Sequence, residues 1–262
     1  MLIDTHCHLD AAEFDADRAA ALQAARAGGV AGFLVPAVGA SNFEAVAALS
    51  ASHPDVVPAF GIHPMYVGQA QEGDLDLLQA RLAGGGAVAV GEIGLDGFVQ
   101  DGSMPLQLRY FEAQLRLAKA FELPVVLHVR RAQDEILKLL RRIRPPGGIA
   151  HAFNGSRQQA EAFIKLGFRL GFGGAMTYAG SRRIRQLAAE LPLSAIVLET
   201  DAPDIPPAWG AGQRNDPANL PRFAEVLAGL RGMPLDEVID ATGANALAAV
   251  PGLQRLAGLR PV

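Results

Sequence analysis

The sequence predicts an α/β fold, a (β/α)8 barrel formed as one domain over residues 1–262, with a metal site at the C-terminal face of its strands. Three observations predict it. Eight short apolar runs recur along the chain, the segments between them carry helical spacing, and most of the runs end in histidines or carboxylates. Eight βα units in 262 residues also match the roughly 250 residues typical of such a barrel.

The first run is "LID" (2–4), followed at once by "THCHLD". The next three are "GFLVP" (32–36), "VPAFGI" (57–62) and "AVAVGEI" (87–93). "PVVLHV" (124–129), "GIAHAF" (148–153), "FRLGFGG" (168–174) and "AIVLETD" (195–201) complete the set. These runs are nearly continuous rather than alternating, as expected for parallel strands covered on both faces. Between them, Leu108, Phe111, Leu115 and Ala118 share one helical face, and Ile136, Leu137, Leu140 and Ile143 share another. No G-x-G-x-x-G follows the first strand and no P-loop is present, which argues against a doubly wound open sheet. "AGGGA" (83–87) reads as a turn and "GFGGA" (171–175) as a closely packed strand end. The Pro/Gly-rich segment 201–217 follows the eighth strand, where a barrel has a loop on its site face.

Half of the residues are hydrophobic, yet no stretch of about 18 apolar residues is free of charge, so no membrane span is expected. The N-terminus lacks the basic-then-apolar pattern of a signal peptide. The single cysteine excludes an internal disulfide and suits a reducing compartment, so a cytoplasmic location is expected. The net charge of −4 gives no general attraction for polyanions. The basic clusters at 138–146 and 181–186 read as solvated helix faces, so a nucleic-acid role requires a local phosphate site. No segment calls for an obligate protein partner.

The polar residues fall where the strands end. His6 and His8 follow the first strand, His63 the third, and Glu92 stands near the end of the fourth. His128 stands near the end of the fifth, His151 within the sixth, and Asp201 ends the eighth. The remaining histidine, His53, reads as a surface residue. In a barrel those ends converge on one face. One buried histidine can be satisfied by a hydrogen bond, but each unpaired buried polar group costs about 1–3 kcal/mol. A bound metal accounts for the whole set. Side chains alternate along extended chain, so His6 and His8 face one way and Cys7 packs behind them as a small apolar residue. Six protein ligands exceed the three plus water usual for one catalytic zinc. Two divalent ions (Zn²⁺, Mn²⁺ or Mg²⁺) roughly 3.5–4 Å apart and bridged by Glu92 would use them all. Such a pair would generate hydroxide from water and clamp the oxygens of a phosphate or carbonyl substrate.

Asp201 is expected to combine ligand and general base, against a plain N-capping role. Arg130 shares the face of His128 and is expected either to hold a substrate phosphate or to form a rim salt bridge. Arg214 and Asn215, in the loop after the eighth strand, are candidates for phosphate or leaving-group contacts. His63 is a candidate acid or substrate contact. Asp4 and Asp96 are candidates to orient metal-bound histidines. Trp209 either stacks on a base or covers core.

"DTHCHLD" (4–10), "GIHP" (61–64), "GEIGLD" (91–96), "PVVLHVR" (124–130), "HAFNGS" (151–156), "LETDAP" (198–203) and "RNDPANLP" (214–221) resemble the ordered motifs of the TatD family of metal-dependent hydrolases, within the amidohydrolase superfamily. The match runs from residue 3 to about residue 221, and "LDEVIDATGANALAAV" (235–250) resembles the family's C-terminal segment. The pairing of "DAPDIPP" with "GEIGLDGF" is closer to a metallo-hydrolase subfamily than to the named DNase. The resemblance implies a TIM barrel in which His6, His8 and Asp201 bind one ion, His128 and His151 bind the other, and Glu92 bridges them. It implies a metal-dependent deoxyribonuclease working exonucleolytically from 3′ ends, with single-stranded DNA as the expected partner. Some relatives are instead D-aminoacyl-tRNA deacylases, which makes aminoacyl-tRNA an alternative substrate. Two departures concern substrate rather than metal: Asp216 stands where the family has Glu, and Ala152 and Asn154 replace its usual Cys and Thr.

Two further classes compete. One is a hydrolase of small phosphoesters or amides; Glu92 stands where some binuclear amidohydrolases carry a carbamylated lysine. The other is a non-catalytic metal-binding scaffold, which a single cysteine and an intact ligand series disfavour.

Overall fold

The computed structural model describes residues 1–99 and 102–256. The predicted domain also spans residues 100–101 and 257–262, which lie outside the described residues. The strands are β1 (Leu2–Asp4), β2 (Val30–Pro36), β3 (Val56–Phe60), β4 (Ala89–Asp96), β5 (Val125–Arg130), β6 (Gly148–Ala150), β7 (Phe168–Phe172) and β8 (Ile196–Leu198). They form an eight-stranded sheet in sequence order, every neighbouring pair parallel. A parallel neighbour needs a crossover, and helices supply it. These are α1 (Arg18–Ala27), α2 (Phe43–Ser52), α3 (Asp74–Ala83), α4 (Met104–Ala120), α5 (Gln133–Ile143), α6 (Arg157–Lys165), α7 (Arg182–Glu190), α8 (Leu220–Arg231) and α9 (Leu235–Ala249). The faces read from the sequence are the ones buried: Phe111, Leu115 and Ala118 on α4, and Ile136, Leu137, Leu140 and Ile143 on α5.

The sheet rolls until its edges meet. Thr5 N–H donates to Leu198 O at 3.1 Å, and beyond the strands Asp201 N–H donates to His6 O at 2.8 Å and His8 N–H to Ala202 O at 2.7 Å. The segments that carry His6, His8 and Asp201 are thus zipped together by the closure of the barrel itself.

Inward residues Ile3, Leu34, Val57, Ala59, Val126, Ile149 and Val197 form an apolar cluster with Ala246, Val250, Leu253 and Leu256. The C-terminal helix and the turn after it therefore plug the end of the barrel opposite the histidines. The Asn245 amide fixes this plug by donating to Leu193 O at 2.7 Å and Ile196 O at 2.8 Å.

Several strands stop earlier than the sequence suggests. β3 ends at Phe60 instead of Ile62, β6 at Ala150 instead of Phe153, β7 at Phe172 instead of Gly174, and β8 at Leu198 instead of Asp201. The backbone turns there: Ala152 and Asp201 have φ of 44° and 58°, outside any strand geometry. His151 is consequently the first residue after its strand, and Asp201 lies three residues beyond its own. No helix among the described residues is long and apolar enough to cross a membrane.

The plug should carry global stability. Leu253→Ala, at a fully buried position, is expected to cost about 2–5 kcal/mol, read as a lowered denaturant midpoint. An unchanged midpoint would show that the C-terminal segment does not seal the barrel.

Candidate metal centre

The centre is built around Glu92, which is 1% exposed. Between Val90 and Ile93 the pairing of β4 with β5 slips: the two β4 residues pair with Val125 and Leu127, so β4 spends one residue more than its neighbour. Such a bulge re-aims a side chain. Gly91 makes it feasible, because a Cβ there would lie 2.7 Å from Val126 Cβ.

Both oxygens of Glu92 meet imidazole nitrogens. Oε2 lies 3.1 Å from His6 Nε2 and 3.5 Å from His8 Nε2. Oε1 lies 3.0 Å from His128 Nδ1, 3.0 Å from His151 Nε2 and 3.2 Å from His63 Nε2. Asp201 Oδ1 approaches His6 Nε2 at 3.4 Å, and His6 Nε2 and His8 Nε2 are 3.2 Å apart. Donor atoms therefore cluster on either side of one carboxylate. His6, His8 and Asp201 form one group, His6, Glu92 and His151 a second, and His63, Glu92 and His128 a third.

These spacings fit a cation. Two ligands 2.0–2.1 Å from one ion lie about 3.3 Å apart at tetrahedral angles and about 3.0 Å apart at octahedral ones. One proton between His6 Nε2 and His8 Nε2 satisfies the pair only as a hydrogen bond, whereas a shared ion would take the lone pair of each. His6 and His151 stack at 3.8 Å, one ring meeting Oε2 of Glu92 and the other Oε1. Imidazoles with carboxylates and no thiolate match Zn²⁺ or Mn²⁺, with Mg²⁺ suited to a more hydrated shell.

The outer contacts decide which nitrogen is free. The Asp96 carboxyl is pushed up by burial, but hydrogen bonds from His128 and Phe98 N–H outweigh this and hold it at about 2. It can only accept, so His128 donates from Nε2 to Asp96 Oδ2 at 3.0 Å and turns its Nδ1 lone pair to the centre. His63 is arranged in the opposite sense. Met65 N–H donates to its Nδ1 at 3.2 Å, which leaves the proton on Nε2, facing Glu92 Oε1 at 3.2 Å and His128 Nδ1 at 3.0 Å. Burial keeps this ring neutral, its pKa lowered against the pull of Glu92. His63 thus stands among the candidate ligands by distance but is a donor by tautomer.

Glu92 is pushed up by burial, yet His63, His151 and His6 and the hydrogen bond with His128 hold it well below the carboxylate range. Asp201 is raised to about 6, chiefly by burial, against the pull of His151 and His8. Burial pushes His8 and His151 down, but Glu92 and Asp201 carry them up to about 9 and about 10.

The sequence pointed to His6, His8, Glu92, His128, His151 and Asp201 as ligands, and the structure brings all six together. His63 joins them more closely than a substrate contact requires. Arg130 reaches the mouth of the cavity. Arg214 and Asn215 do not: neither lines the cavity. Arg214 forks onto Asp17 at 2.6 and 2.8 Å and lies over the Phe14 ring, which occupies its donors away from the site. Asn215 is buried, its amide donating to Thr200 O, Asp204 O and Ile205 O, so it pins the loop after β8. Asp4 orients no imidazole. It accepts from Thr200 N–H at 2.9 Å and the Thr200 hydroxyl at 2.6 Å, and so ties β1 to the β8 loop. Trp209 is held by Asn219 and Arg222 outside the cavity. Cys7 is fully buried in the apolar core.

One buried carboxylate at the centre, Glu199, lies outside the residues the sequence singled out. It is fully buried, accepts from Ala152 N–H at 2.5 Å and lies 3.8 Å from His151 Nδ1. Burial raises it to about 8. The glycines of "GFGG" make its cradle, since a Cβ on Gly171 would overlap Glu199 Oε2 at 2.0 Å. A Glu closing an apolar run, two residues before a proposed ligand, was the available signal.

The TatD-related DNase family model matches residues 3–250. The Escherichia coli K12 protein named "Uncharacterized metal-dependent hydrolase YjjV" is 43% identical over 91% of this chain and 93% of its own. The mouse protein named "Putative deoxyribonuclease TATDN3" is 31% identical over 97% of this chain and 90% of its own. The crystal structure of the TatD homologue YjjV from Escherichia coli K12 superposes with a TM-score of 0.92 at 41% identity, covering 95% of this chain and 98% of that one.

Ligation needs neutral imidazole, whereas His8 and His151 hold protons at pH 7 because their values are raised above it. Binding of Zn²⁺ or Mn²⁺ is therefore expected to release protons at neutral pH, from His8 and His151 at least, and to tighten as pH rises toward about 9. Calorimetry in buffers of different ionisation enthalpy measures this. Metal binding without proton release would contradict the assignment.

Proposed function

The chain belongs to the TatD-related DNase family, and we propose that it is a metal-dependent hydrolase that cleaves phosphodiester bonds at single-stranded DNA ends. The observation that carries this reading is the bridging position of Glu92, one oxygen toward His6 and His8 and the other toward His128 and His151. In the proposed arrangement His6, His8 and Asp201 would hold one divalent ion and His128 and His151 a second, with Glu92 available to both. Such ions would supply acidity to water and neutralise charge on the phosphate oxygens.

The chain's own groups do the rest. Asp201, raised to about 6 by burial, is suited to take the proton of the attacking water near neutral pH. His63 presents an Nε2 proton, suited to a substrate oxygen once that oxygen replaces Glu92 as its acceptor. Arg130, 3.7 Å from Asp96, can hold a phosphate beside His128. The cavity of about 1210 Å³ exceeds the roughly 300–1,000 Å³ common for small ligands, which favours part of a polymer over a small ester.

Asp201→Asn keeps an oxygen ligand but removes the base, so shortening of 5′-labelled single-stranded DNA by Mn²⁺-loaded protein is expected to slow by about 10²–10⁴-fold. His63→Gln is expected to lower kcat with less effect on metal affinity. If loaded wild-type protein leaves DNA intact while hydrolysing small acyl esters, the phosphodiesterase reading is wrong.

A further inference from the structure

The rim of the cavity is electrically divided. Asp10, Glu13 and Asp204 line one part, while Arg130, Arg131 and Arg183 line another. On the cationic part stands Phe98, 48% exposed although it is a large apolar residue. Arg130 and Arg131 both lie over its ring, their guanidinium carbons 4.1 and 4.7 Å from the centroid. Two like charges on one ring repel, and among the described residues the only carboxylate near either is Asp96, 3.7 Å from Arg130. Arg183 is aimed by a neutral group, donating from Nε and Nη2 to Asn154 Oδ1 at 3.1 and 2.7 Å. Its charge is therefore left for a ligand. Asn154 is one of the residues by which this chain departs from the family pattern, and a threonine there has no side-chain carbonyl to accept that fork.

An exposed ring backed by guanidinium groups matches the requirements of a single-stranded nucleotide, namely a π-face for the base and cations for the phosphate. A neutral ester or amide would leave Arg131 and Arg183 without an anionic partner among the described residues and Arg130 with Asp96 alone. The shelf also adjoins the centre, since Arg130 contacts Asp96, which holds His128, which contacts Glu92. We infer that Phe98 with Arg130 and Arg131 forms a subsite that stacks the base and grips the phosphate of the nucleotide adjoining the scissile bond, and that Arg183, set by Asn154, guides the strand beyond it. This rests on the phosphodiesterase reading and names the residues that make it select unpaired strands.

The test uses full-length, chelator-treated protein, so that binding is read without cleavage. A short single-stranded DNA carries a dye for anisotropy and 2-aminopurine at its 3′ end as a stacking reporter. Phe98→Leu keeps apolar bulk without the ring and is expected to weaken binding about tenfold and to relieve 2-aminopurine quenching, whereas Phe98→Trp preserves both. Replacing Arg130 and Arg131 together by Gln removes the one phosphate contact of the subsite and is expected to reduce the slope of log affinity against log salt by about 0.7. Replacing Arg141 and Arg142 together by Gln, both on α5 and away from the cavity, serves as the charge-matched control and is expected to bind as wild type. If wild type binds but Phe98→Leu and the Arg130 and Arg131 double variant match it in affinity, quenching and slope, the subsite is refuted and the phosphodiesterase reading stands. If wild type binds no oligonucleotide and the loaded protein cleaves none, both fall together.

Discussion

The placement of a buried carboxylate among imidazoles is the constraint on which the rest of this structure depends. An isolated ionised Glu92 would be untenable at 1% exposure. The barrel makes it tenable by delivering four histidines from separate strand ends and one more from the same β1 loop. That requires the bulge at Gly91, the backbone bonds that join the β1 and β8 segments, and a C-terminal plug that keeps the opposite end apolar. The closure bonds place His6 and His8 against Asp201 before any side-chain preference acts. Breaking the seam between β1 and β8 would dismantle the centre as surely as removing a ligand.

The outer hydrogen bonds assign different tasks to chemically identical rings. His128 and His63 both lie about 3 Å from Glu92 Oε1, yet Asp96 takes the outer proton of one while Met65 N–H occupies the outer nitrogen of the other. One ring therefore offers a lone pair and the other a proton. Distance alone would group them, and tautomer logic separates them.

Much of the fold was legible because a parallel barrel writes itself as repeated apolar runs with polar ends. The candidate ligands were legible for the same reason: one histidine or carboxylate closing a buried run can be satisfied by a hydrogen bond, but six of them in one chain point to a shared ion. What the sequence concealed was rotation and pairing. Nothing in "RNDP" shows that Arg214 is held by Asp17, almost two hundred positions earlier, or that Asn215 spends its amide on three loop carbonyls. Asp4 reads as well placed to orient a histidine, and only the β1–β8 seam reveals Thr200 as its partner. Glu199 was hidden because its burial depends on Gly171 of β7 and Gly173 just beyond that strand. Phe98 was hidden because exposure is a property of the folded rim, not of the residue.

Diffraction from Mn²⁺-soaked crystals at the manganese absorption edge shows whether Glu92 is the shared ligand of two ions. Two anomalous peaks roughly 3.5–4 Å apart are expected, one beside His6, His8 and Asp201, the other beside His128 and His151, with the Glu92 carboxylate between them. A single peak, or two peaks of which only one touches Glu92, would contradict that role.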